Sequence, residues 1–199
     1  MLPSMYTDSP NPPSAGPDAP FVAPGIRKDI VEAIYAVLDT QEQTLTARRV
    51  EALANFLDTD DGRNLLAGYK RASGIVSSEE ETDHRHYHGK PDPQLYLRKE
   101  ERELAVAITV AKHEAEAAIA RDDFEQAIHA IATLRPFVDA FFDKVTVNVE
   151  MSDRRENRLK LLNEFREATR AVADFSRIEG SAYRSFSSPF SARNSASGP

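Results

Sequence analysis

Cysteine is absent from the 199 residues, so disulfides, thiolate catalysis and zinc–thiolate sites are excluded. No apolar run approaches the roughly 20 residues needed to span a bilayer, and no membrane segment is expected. The N-terminus has no basic patch leading into an apolar core. It has no arginine before Arg27 and carries Asp8 and Asp18, so neither a secretory signal nor a transit peptide is expected. The cytoplasm is then the default compartment. Glycine is scarce at eight residues, too few to build a phosphate cradle. No P-loop, dinucleotide fingerprint or Gly-x-Ser-x-Gly elbow occurs. An excess of positive charge is lacking too: the net charge is −7, which argues against a general RNA- or DNA-coating protein.

What is present is a helical middle between two weakly apolar ends. Apolar residues make up 41% of the chain, enough for one core. Residues 1–25 are proline-rich and residues 181–199 are mostly serine, glycine, proline and arginine. Such segments bury too little apolar surface to offset the entropy of ordering, so disorder is expected there and a folded unit over 26–180. Within it, Ile30, Ile34 and Val37 predict a helix over 27–38. Leu45, Val50, Leu53 and Leu57 predict one over 45–57. A break at Asp58–Asp61 precedes a third over about 61–76. Residues 77–93, "SSEEETDHRHYHGKPDP", lack apolar periodicity and are expected to form a polar loop. Helices follow over 97–120, 121–134 and 136–147, the last with Pro136 in its first turn. A final one over 151–178 has Ser152 or Asp153 as its N-cap. "KVTVNV" (144–149) is the sole strand candidate, and it is short. The expected fold is all-α, a bundle of about seven helices without internal repeats.

Three constellations stand out. His84, His86 and His88 alternate in "HRHYH" and could ligate zinc or nickel from an extended loop; a solvated loop is the plainer reading. Asp139 and Asp143 stand one helical turn apart, but the Glu-x-x-His partners of a helical di-metal site are missing, so solvated or capping aspartates are expected and no catalytic residue is assigned. Basic residues recur at Arg48–Arg49, Lys70–Arg71 and Arg154–Arg155, followed by Arg158. Charge is uneven: residues 99–150 hold six basic and eleven acidic side chains, whereas 151–178 hold seven basic and five acidic. A local basic face on an acidic protein is therefore available.

The segments "ARRVEALANFLDTDDGRNLLAGYKRASGIV" (47–76), "LRPFVDAFFDKVTVN" (134–148), "NRLKLLNEFR" (157–166) and "VADFSRIEG" (172–180) stand in this order. Together they closely resemble the C-terminal region of the bacterial glycyl-tRNA synthetase β subunit, of the two-subunit α/β type. "YKRA", "PFVDAFFDKVTVN" and "NRLKLL" are the most specific elements. The resemblance implies an α-helical domain similar to the anticodon-binding domain of arginyl-tRNA synthetase. It implies tRNA-Gly as a partner, together with the α subunit or the remainder of a β subunit. The full enzyme uses ATP and Mg2+ to join glycine to its tRNA; no cofactor is expected on this chain. The family's β subunit is several times longer, which leaves a stand-alone, non-catalytic protein-interaction domain as the alternative.

The stretch Arg135–Asn148 holds three phenylalanines and three valines. Phe137, Phe141, Phe142 and Val145 are expected to form a core face extended by Val138, leaving Asp139, Lys144 and Asn148 at the solvent edge. For RNA, the expected phosphate contacts are Arg48, Arg49, Lys70, Arg71, Arg154, Arg155 and Arg158, and Asn148 and Asn157 are placed to read base edges. Tyr69 is either a stacking partner or a half-buried core tyrosine.

Overall fold

The computed structural model describes residues 25–38 and 43–179. The disorder expected at 1–25 and 181–199 lies, Gly25 apart, outside these residues. Among them are seven α-helices and no strand: α1 (Lys28–Tyr35), α2 (Gln43–Leu57), α3 (Asp60–Asp83), α4 (Lys99–Ile119), α5 (Phe124–Ala132), α6 (Arg135–Lys144) and α7 (Ser152–Thr169). Two 3₁₀ turns, Pro93–Leu95 and Phe175–Arg177, complete the described elements. "KVTVNV" is the end of α6 and an irregular segment, with Val145 and Val147 buried. No helix among the described residues is long and apolar enough to cross a membrane.

The central helices α4 and α7 carry the core. α4 packs on α5, α6 and α7, while α3 lies across α7 and α6. α2 joins α1, α3 and α5 on one side, and the last 3₁₀ turn closes over α1. The apolar stripe of α7 turns inward as its spacing requires: Leu159, Leu162, Phe165 and Ala168 are fully buried. Burying each of the larger ones contributes on the order of 1.5–3 kcal/mol. Tyr69 of α3 is a core residue, 4% exposed, with its ring edge-on to Phe175 at 5.6 Å.

The turn from α2 into α3 depends on a capping threonine and a glycine. Thr59 Oγ1 accepts the Gly62 N–H at 3.0 Å, satisfying one of the free donors of the first turn. Asp60 and Asp61 place negative charge at the positive end of the helix dipole. A Cβ on Gly62 would sit 2.1 Å from the Phe56 carbonyl oxygen. Only glycine lets the two helices approach this closely.

Four expectations need correction. The polar loop is shorter than 77–93, because α3 continues to Asp83. Its last turns are held by α7 rather than by apolar burial: Arg155 pairs with both Glu79 and Asp83. The N-cap of α7 is Met151; Ser152 is already helical and its hydroxyl hydrogen-bonds Asp153 at 3.2 Å. The last helix ends at Thr169, well short of residue 178. Finally, the core face of α6 is Val138, Phe141 and, just beyond, Val145; Phe142 is half-buried and Phe137 is 36% exposed. Val138 packs against Gly68 of α3; Phe137, in the first turn and about 100° round the helix from Val138, is left at the open edge of that face.

Candidate nucleic-acid interface

Between α3 and the end of α6 lies a groove of about 500 Å³. Arg71, Gly74, Ile75, Ser78 and Glu79 of α3 form one wall. Phe142 and the irregular segment Val145–Asn148 form the other. The exposed Arg71 guanidinium lies over the Phe142 ring, 4.2 Å from its centroid, a cation–π arrangement with a flat, partly open aromatic surface. Gly74 faces open space, with no heavy atom within 4 Å of where a Cβ would be. Asn148 is exposed and its Nδ2 donates to Glu79 Oε1 at 3.3 Å.

The groove is braced from behind by α7. Arg155 pairs with Glu79 and donates to Asp83 at 2.6 Å. Tyr87, 1% exposed, donates its hydroxyl proton to the same Asp83 carboxylate. These two hydrogen bonds hold the Asp83 carboxyl down at about 2, against an ordinary 3.8. The hydrogen bonds to Asp83 and Glu79 drive the Arg155 guanidinium upward in turn. A second brace fixes the far wall. Arg158 donates from Nε to Glu101 Oε1 at 2.8 Å and from Nη1 to the Thr146 carbonyl at 2.7 Å. Glu101 Oε2 accepts the N–H groups of Leu97 and Arg98 at 2.8 and 2.7 Å, a carboxylate reaching back to start α4. Burial pushes the Glu101 carboxyl up, but Arg158 and the two N–H groups outweigh it and hold it below its usual range.

The structure divides the nine expected RNA contacts. Arg71 and Asn148 line the groove, and Lys70 is exposed beside Arg71 on α3. Arg154 is half-buried at the start of α7, with Nη1 3.1 Å from the Met151 sulfur. Arg48 is exposed on α2, away from the groove residues. Its neighbour Arg49 lies over the Phe124 ring of α5 at 4.1 Å; burial lowers its pKa, and its Nε meets no acceptor among the described residues. Arg155, Asn157 and Arg158 have internal partners. Asn157 is 3% exposed and clasps the Asp92 backbone, accepting its N–H at 2.6 Å and donating to its carbonyl at 3.0 Å. Arg158 is 6% exposed. These two residues of "NRL" therefore build the interior.

The histidines do not converge. His84 caps α3 in the left-handed conformation, with φ 52°. His86 and His88 are exposed, with ring centroids 5.5 Å apart and His86 Nδ1 3.4 Å from Glu80. No group of three or more histidine, aspartate or glutamate side chains among the described residues could hold a metal ion. Asp139 is exposed and pairs with Arg135 at 3.6 Å. Sequence reasoning missed Glu79, Phe142 and Gly74 as groove residues. The signal for Glu79 was available: "SSEEETD" holds three good helix formers and no glycine or proline before Gly89.

The DALR anticodon binding domain matches residues 65–174, more than half of the chain. The match covers both braces and the whole groove. The chain belongs to the DALR anticodon-binding domain family. Its relatives include the glycine–tRNA ligase β subunit of Paracoccus denitrificans, 40% identical over 156 residues, which covers 78% of this chain and 23% of that subunit. The corresponding subunits of Rhodospirillum centenum and Cereibacter sphaeroides are each 41% identical, over 157 and 156 residues, covering 78% of this chain and 22% of theirs. This DALR domain chain thus spans less than a quarter of the length of the curated relatives it matches. Within the family framework, the "FVDAFF" segment supplies both Phe141 to the core and Phe142 to the groove.

Proposed function

We propose that this chain is a tRNA-binding module that takes the anticodon loop of tRNA-Gly in the groove between α3 and α6, in support of glycyl-tRNA synthesis. The observation that carries this reading is the Arg71–Phe142 stack at 4.2 Å in a groove within an anticodon-binding domain. RNA loops are read by splaying bases onto aromatic or guanidinium planes and bonding their edges, while cations hold the phosphates. Phosphates are assigned to Lys70, exposed beside Arg71, and to Arg154 and Arg48 on other helices, and a base edge to Asn148. Arg155 and Arg158 act through the groove walls and touch no RNA. The glycine–tRNA ligase β subunits among the relatives motivate the partners: tRNA-Gly, and the α subunit or the rest of a β subunit. Glycine activation with ATP and Mg2+ then belongs to those other parts, and the setting is the cytoplasm.

The test is titration of the full chain against a tRNA-Gly anticodon stem-loop over a salt series. Binding should weaken with salt, Lys70→Ala should reduce the salt slope by about one, and Arg71→Ala should lower the affinity. Binding that ignores both salt and Arg71 would refute this reading and favour a protein-docking domain.

A further inference from the structure

Glu79 is a carboxylate in the wall of a groove that also carries Arg71. It would repel a phosphate lodged there, whereas a base edge with N–H donors would be drawn to it. Its two oxygens are engaged differently. Oε2 pairs with Arg155, which is itself held by Asp83. Oε1 faces only the Asn148 amide, at a distance of 3.3 Å that is long for an N–H···O bond. The groove therefore offers one acceptor beside one donor, next to the flat Phe142 ring. Gly74 keeps space open opposite, in a helix interior where glycine is otherwise unfavourable.

We infer that this groove holds one unstacked nucleobase and that Glu79 is the specificity residue that reads its exocyclic amino group; the inference rests on the tRNA-binding reading above. Base chemistry selects among the four. Guanine offers adjacent imino and amino donors suited to a two-oxygen carboxylate, but Arg155 occupies one of those oxygens. Uracil flanks its single imino donor with two carbonyl oxygens, which the carboxylate repels. Cytosine and adenine each present an amino donor beside a ring acceptor, the complement of Glu79 Oε1 and Asn148 Nδ2. Glycine codons begin with GG, so the anticodon of the proposed tRNA supplies two cytosines. Cytosine is the base assigned to the groove, stacking on the Arg71 guanidinium that lies over the Phe142 ring.

The experiment measures binding of the full chain to anticodon stem-loops carrying cytosine, uracil, adenine or 4-deaminated cytosine (pyrimidin-2-one) at each of the two positions. At one position, uracil and the deaminated base should each weaken wild-type binding by roughly tenfold or more, and adenine should not exceed cytosine. Glu79→Gln should bind uracil and cytosine equally there, because a carboxamide can turn its N–H toward the uracil carbonyl. Wild-type protein that tolerates the deaminated base at both positions overturns the inference, with no variant needed. So does a Glu79→Gln protein that keeps the discrimination, or an adenine preference. In each of those cases salt-dependent binding leaves the tRNA reading standing; absence of binding to every stem-loop overturns both.

Discussion

At the residue scale, neighbours in sequence have different jobs. Arg154, Arg155, Asn157 and Arg158 lie within five positions, yet two of the four are in the interior. Arg158 joins α7 to Glu101 of α4 and to the Thr146 carbonyl at the groove. A buried pair is expensive to break, because its surviving member is left charged and unpartnered. Arg158→Ala is therefore expected to lose about 3–5 kcal/mol of stability, measured by urea unfolding. An unchanged midpoint would contradict the role given to this pair. The carboxylates make a separate prediction. Asp83 sits at about 2 and Glu101 is also depressed. A group depressed in the folded state contributes stability that is fully present above its unfolded pKa and is lost as pH falls through the folded value. Thermal stability should hold from neutrality to about pH 4 and then fall toward pH 2. Asp83→Asn should flatten part of that fall; an identical pH profile for the variant would argue against the Arg155–Asp83 brace.

At the element scale, the helices were legible where their apolar stripe was regular. Leu159, Leu162 and Phe165 mark α7 from sequence because each is buried at the expected spacing. The end of α3 was not legible, because Glu79 and Asp83 are held by Arg155, which lies more than seventy positions further on. No local window contains that information. The same holds for the groove. Arg71 and Phe142 come from different helices, and only the packing of α3 on α6 sets one over the other. Phe137 shows the limit of composition as a guide: three phenylalanines in one helix do not all fit one face. The sharpest element-scale prediction concerns Gly62. With the Phe56 carbonyl 2.1 Å from its would-be Cβ, Gly62→Ala must push α2 and α3 apart, in contrast to the stabilisation that alanine usually brings inside a helix. A loss of 1–3 kcal/mol or so is expected, as for other overpacked sites. Gly74→Ala, which meets open space, is the internal control and should raise stability by about 1 kcal/mol. Equal effects of the two substitutions would show that the close approach at Gly62 does not constrain the fold.

At the scale of the whole molecule, an acidic chain carries the groove proposed here for RNA. The net charge of −7 disfavours indiscriminate binding to polyanions, and the carboxylate in the groove does the same locally. Affinity must then come from a few well-placed cations and from stacking, which favours selective over general RNA binding. The family match spans the residues of the groove, and Arg71 over Phe142 gives that groove a flat cationic surface. Sequence resemblance reached the family and the helical class, but the surface emerged only once α3, α6 and the Val145–Asn148 segment were assembled. The most direct measurement is competition, at physiological salt, between a tRNA-Gly anticodon stem-loop and one of equal length with an altered anticodon for the full chain. The account predicts that the altered loop competes at least about tenfold less well. Equal competition by both loops would contradict it.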